Sequence, residues 1–79
     1  MDMVKIGHLC KQYRLQVLKL SLTEFSKLSN ENLKNIHAFE SGRANNIKYL
    51  YMYMKLSTTT QLEVFINSIF FDVIRGGIS

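Results

Sequence analysis

The sequence predicts an all-α fold of five short helices, and three observations carry that expectation. The chain has no proline and only four glycines among 79 residues, so little in it breaks a helix. Apolar side chains recur at helical spacing over most of its length. Ser21-Leu22-Thr23-Glu24 and Thr60-Gln61-Leu62-Glu63 both have the form of a capping box, in which a hydroxyl and a carboxylate close the start of a helix reciprocally.

The first helix is expected from about Val4 to Leu15, with Ile6, Leu9, Cys10 and Tyr13 forming one apolar stripe. Ser21 opens the second. Asn30 falls at a bend that needs left-handed backbone, which asparagine tolerates better than most residues. Asn32 is the expected N-cap of the third helix, and Gly42 stands where a helix C-terminus favours positive φ. A fourth helix is expected from about Asn46 to Leu56. Its stripe would be Ile47, Leu50, Tyr51 and Met54, turning Tyr49, Met52 and Tyr53 outward. The last segment, QLEVFINSIFFDVIR, has strand-like composition, but its length, its cap and the set Leu62, Phe65, Ile66, Ile69, Phe70 and Val73 favour a helix. It is apolar over more than one face, because Val64, Phe71 and Ile74 lie outside that stripe. Dimerisation through Phe65, Ile66, Ile69, Phe70 and Val73 is the expected way of covering it.

The stretch Leu22–Ser41, followed by Gly42, is the most informative. Phe25, Leu28, Ile36 and Phe39 are apolar at helical spacing on either side of the polar break Ser29-Asn30-Glu31-Asn32. That is the layout of a helix-turn-helix, with an apolar inner angle and a short polar second helix outside. The expected architecture is a compact five-helix domain with a central helix-turn-helix and an apolar C-terminal helix. Residues 1–79 form one unit, with the helix-turn-helix core at 1–57 and the C-terminal helix, a possible dimerisation element, at 58–79.

On these residues the chain resembles the phage-repressor (Cro-like, lambda-repressor-like) helix-turn-helix family over roughly Ile6 to Leu56. Phe25 matches the apolar position of the motif's first helix, and Ser26 the small residue where the two helices touch. Asn30 replaces the usual turn glycine. Ile36 and Phe39 match the buried positions of the second helix, and Glu40-Ser41-Gly42 its frequent acidic–polar–glycine ending. The chain departs from the pattern at Glu31, where a buried aliphatic is usual, and at Leu22, where glutamine is frequent.

The resemblance implies that Asn32, Leu33, Lys34, His37 and Ala38 face base edges. Lys34, Asn32 and His37 can hydrogen-bond in a major groove, whereas Leu33 and Ala38 can only meet a thymine methyl. Arg43 and Lys48 would hold phosphates, and Asn45 and Asn46 would touch the backbone, cap the fourth helix, or both. The implied function is a sequence-specific transcriptional regulator of phage or mobile-element type that binds double-stranded DNA as a homodimer. The alternative is a protein-binding module, an antirepressor or repressor modulator that docks on another regulator protein. Leu33, Ala38, Tyr49, Met52 and Tyr53 would then form its contact.

Composition bounds the remaining classes. Ten Lys and Arg against six Asp and Glu leave a net charge of +4, which favours an anionic partner only weakly. Cys10, the single cysteine, cannot form an internal disulfide and is expected in the core, in a reducing compartment. His8 and Cys10 are two residues apart on a helix, face different directions and cannot share a metal. No metal or other cofactor is expected. There is no glycine-rich phosphate loop and no nucleophile beside a histidine in a known context, so an enzyme is not expected. No apolar run approaches the roughly 20 residues that span a bilayer. The start MDMVKIGHL lacks the features of a signal peptide, so a cytoplasmic protein with no membrane partner is expected.

Overall fold

The computed structural model describes residues 2–71, all of whose regular structure is helical. Helix α1 spans Met3–Tyr13 and runs on through one wide π turn, Arg14–Leu18. Helix α2 spans Leu22–Ser29 and α3 spans Leu33–Glu40. A 3₁₀ turn, Ile47–Tyr49, leads into α4 at Leu50–Lys55, and α5 spans Thr59–Ser68. No described helix is long and apolar enough to cross a membrane.

Side chains fix most of the boundaries. Asp2 Oδ1 accepts from the backbone N–H groups of Val4 and Lys5 at 3.0 and 3.2 Å, so α1 begins earlier than its apolar stripe. Ser21 and Glu24 form the expected capping box at the start of α2. At α5 the box is instead Thr58 with Gln61, two residues before the expected one. The run Thr58-Thr59-Thr60 fits the same pattern from its first member, and that choice lengthens the helix. Helices α1, α2 and α3 close alike, through left-handed residues at Lys19 (φ 56°), Asn30 (φ 56°) and Gly42 (φ 77°). In each case the next N–H reaches back five or six residues, Leu20 to the Arg14 carbonyl, Glu31 to Ser26 and Arg43 to Ala38.

The core comprises Ile6, Cys10, Tyr13, Phe25, Ile36, Phe39, Tyr49, Tyr53 and Phe65. Its centre is aromatic. Tyr53 lies 4.6 Å from Phe25 and 6.2 Å from Phe65 between ring centroids, and Phe65 lies 4.5 Å from Tyr13. Gly7 lets α1 approach the end of α3, because a Cβ there would meet the carbonyl oxygens of Phe39 and Glu40, the latter at 2.6 Å. Cys10 is a core residue as expected; burial, then the Glu40 charge, pushes its thiol far above the ordinary range. His8 is exposed.

Several expectations are corrected. Leu28, read as part of the inner angle, is 60% exposed. The stripe of the fourth helix is rotated, for Tyr49 and Tyr53 are buried while Ile47 and Tyr51 are exposed. The 3₁₀ turn resets the helical phase at Tyr49, and the two inward tyrosines then follow at i, i+4. Phe65 is fully buried within its own chain, which removes it from any intermolecular contact. Ile66 and Phe70 are exposed and Ile69 is half-buried, while Val73 lies outside the described residues.

Candidate nucleic-acid interface

The α2–α3 turn sets the outward direction of α3. Ser26 Oγ donates to the Glu31 carbonyl at 2.6 Å, and the Glu31 N–H donates back to the Ser26 carbonyl at 3.2 Å. Asn30 supplies the left-handed step between them. Asn32 then caps α3, its Oδ1 accepting from the Lys34 N–H at 2.8 Å. Ile36, Phe39 and Glu40 are buried, and the opposite side of α3 faces solvent.

At the other end α3 is fastened by a buried ion pair. Arg14 Nε donates to Glu40 Oε2 at 2.9 Å, and Arg14 Nη2 donates to Oε1 at 3.0 Å. Arg14 Nη1 donates to the Leu20 carbonyl at 2.9 Å, just before α2. The Tyr53 hydroxyl also donates to Glu40 Oε2, at 2.8 Å. Burial, then the Glu40 charge, pushes the Tyr53 phenol well above its usual range, so it stays a donor. No described buried side-chain polar atom lacks a hydrogen-bond partner. Sequence reasoning passed over this network, although Arg14 stands at i+4 from Cys10 and Glu40 at i+4 from Ile36, both on the inward side.

On the outward face Leu33, Lys34, His37, Ala38 and Arg43 line one shallow hollow of about 410 Å³. Five of the predicted site residues are therefore together. Lys34, His37 and Arg43 are exposed and Leu33 is 38% exposed, whereas Ala38 is half-buried beneath the turn that follows α3. Arg43 is joined to His37, with Nη2 at 3.1 Å from Nδ1. Asn32 is exposed at the head of the helix. Asn45, Asn46 and Lys48 are exposed on the segment that follows, outside the hollow. Asn46 caps the 3₁₀ turn, its Oδ1 accepting from the Lys48 N–H at 3.2 Å, and the Lys48 ammonium lies 5.8 Å from the Tyr49 ring centroid.

Lys48 borders a second hollow, of about 560 Å³, with Leu28, Glu31, Tyr51, Met52 and Lys55. Tyr49 and Tyr53, predicted as exposed contact residues, are in the core, and Met52 is half-buried. No group of three or more His, Cys, Asp or Glu among the described residues could hold a metal ion. The chain matches no protein-family model, no curated protein and no solved structure.

Proposed function

We propose that this chain is a sequence-specific DNA-binding transcriptional regulator of phage or mobile-element type, with α3 entering the major groove. The observation that carries the reading is the pairing of a fixed turn with an outward face. Lys34, His37 and Arg43 border one hollow on the side of α3 opposite the buried Ile36, Phe39 and Glu40. A helix presented in this way fits the width of a B-DNA major groove. Lys34 and His37 meet base edges, Leu33 and Ala38 lie against thymine methyls, and Arg43, Lys48, Asn45 and Asn46 follow the phosphates. Homodimerisation through exposed α5 residues would set two half-sites about 34 Å apart.

The test is a titration of duplex DNA at two salt concentrations, with Lys34→Ala, His37→Ala and Arg43→Ala beside the parent chain. Affinity should rise steeply as salt falls, because phosphate contacts release counterions. Arg43→Ala should reduce the slope of log affinity against log salt by about one. A flat response to all three substitutions would refute the assigned face.

A second reading, a module that docks on another regulator protein, is favoured by the hollow beside α4. Leu28 and Tyr51 are 60% and 64% exposed there, and exposed apolar groups suit a protein surface better than a phosphate backbone. Such a module should bind duplex DNA weakly at both salt concentrations.

A further inference from the structure

The hydrogen-bonding groups on the α3 face are unequally free. Asn32 carries an acceptor and two donors, its Oδ1 already accepting from the Lys34 N–H at 2.8 Å, but it stands at the head of the helix and does not line the hollow. Lys34 has donors alone. His37 is the remaining group that could present an acceptor, and it is held by Arg43. A guanidinium cannot accept a hydrogen bond, so in the 3.1 Å contact Arg43 Nη2 donates and His37 Nδ1 accepts. The neutral imidazole then carries its proton on Nε2, which leaves a donor as the ring's free polar group. Arg43 keeps further N–H donors. Leu33 and Ala38, which complete the hollow, offer no polar group.

Nearby acceptors belong elsewhere. The Glu31 carboxylate accepts from the Asn32 N–H at 3.3 Å and borders the second hollow rather than this one. Asn46, whose Oδ1 accepts from the Lys48 N–H, lies outside the hollow. Ser41 and Asn35 are exposed on or next to α3 but do not line the hollow.

We infer that the hollow on α3 presents hydrogen-bond donors and apolar contacts only, and so selects guanine and thymine edges, with Arg43 acting as a positioning residue that fixes the tautomer of His37. The inference rests on the DNA-binding reading and names the ligand chemistry of that same face. In the major groove guanine shows two acceptors, N7 and O6, and thymine shows O4 beside its methyl group. Adenine also shows N7 as an acceptor, but the N6 amino group of adenine and the N4 amino group of cytosine are donors. Against this face they lose their water and gain no partner, which is how a polar site rejects a wrong edge.

The experiment starts from the full chain and a random duplex library, followed by atom-by-atom changes in the best selected duplex. Replacing guanine by 7-deazaguanine removes one acceptor and should weaken binding by about fivefold to tenfold at one or more positions. Replacing adenine by purine removes the N6 amino group and should leave affinity within about twofold. His37→Gln restores an acceptor and should shift the selected sites toward adenine. Selected sites that lose affinity on adenine→purine and ignore 7-deazaguanine would overturn the inference while leaving the DNA-binding reading intact. A chain with no affinity for duplex at either salt concentration removes both. Nitrogen-15 shifts of the His37 ring in the free protein give an independent readout. They should show Nε2–H as the neutral form, and Arg43→Ala should increase the Nδ1–H share. A predominant Nδ1–H form in the parent chain would overturn the inference whatever the DNA results are.

Discussion

Phe65 of α5 and Tyr13 of α1 lie 4.5 Å apart between ring centroids, closer than any other described aromatic pair. The contact divides α5 and the wide turn that follows it at residues 69–71 into two sides. Phe65 fills the core, with Leu62 and Ile69 half-buried beside it, while Val64, Ile66 and Phe70 are about half exposed. Phe65→Ala should therefore cost about 3–5 kcal/mol in urea unfolding by emptying a core position. Ile66→Asp and Phe70→Asp should leave unfolding nearly unchanged and convert a dimer to a monomer by sedimentation. A parent chain that sediments as a monomer, or a dimer indifferent to both changes, would exclude α5 as the two-fold contact.

Arg14 and Glu40 form a bidentate pair with side chains only 5% and 3% exposed. Removing one partner strands a desolvated charge, so Glu40→Ala should destabilise the fold by about 3–5 kcal/mol. The double change Arg14→Met with Glu40→Leu, made beside Tyr53→Phe so that no buried hydroxyl loses its acceptor, should recover much of that loss, since apolar groups of similar size need no solvation. Losses that simply add in this cycle would show the two residues to be energetically independent.

Replacing glycine by alanine inside a helix usually stabilises by roughly 0.5–1 kcal/mol. At Gly7 the sign should reverse. The added methyl would press on the Phe39 and Glu40 carbonyls, and such overpacking costs about 1–3 kcal/mol. A rise in melting temperature for Gly7→Ala would show that α1 and α3 are less closely set than described.

The Glu24 carboxylate is held below its ordinary 4.5, first by the Ser21 backbone N–H and then by the Ser21 hydroxyl. A depressed folded-state value means that the fold favours the ionised form. Its contribution is present above 4.5 and is lost as pH falls through the lower folded value. Urea midpoints followed from neutral pH into that acid range should fall less steeply for Glu24→Gln than for the parent. Ser21→Ala should cost about 1 kcal/mol at neutral pH by removing the cap. Parallel acid profiles for Glu24→Gln and the parent would rule out the carboxylate's part in the box.

The helix starts at Ser21 and Asn32 and the left-handed turns at Asn30 and Gly42 were legible in the sequence, because local chemistry decides each of them within a few residues. The members of the outward hollow were legible for the same reason, since Ile36 and Phe39 fix the opposite face. What a single stripe cannot convey is a partner 26 residues away. Arg14 and Glu40 each stand on an inward position, but a charge there reads as solvent-facing until its complement is known. The tyrosines failed for a related reason. Tyr53 is buried because Glu40 accepts its hydroxyl, and no periodicity reveals that. The phase of α4 was lost at a 3₁₀ turn, which advances the chain by a different angle per residue.

Arg14 does more than balance a charge, because its third contact holds the Leu20 carbonyl at the threshold of α2. One guanidinium thus ties the entry of the two-helix unit to its exit at Glu40. The tilt at which α3 leaves the body is set from inside the fold. A variant slackened at this clamp, but still folded, would keep its basic surface and therefore its general attraction to polyanions. On the DNA-binding reading proposed above, it would lose discrimination between sequences first, since telling one base from another depends on angle more than on charge.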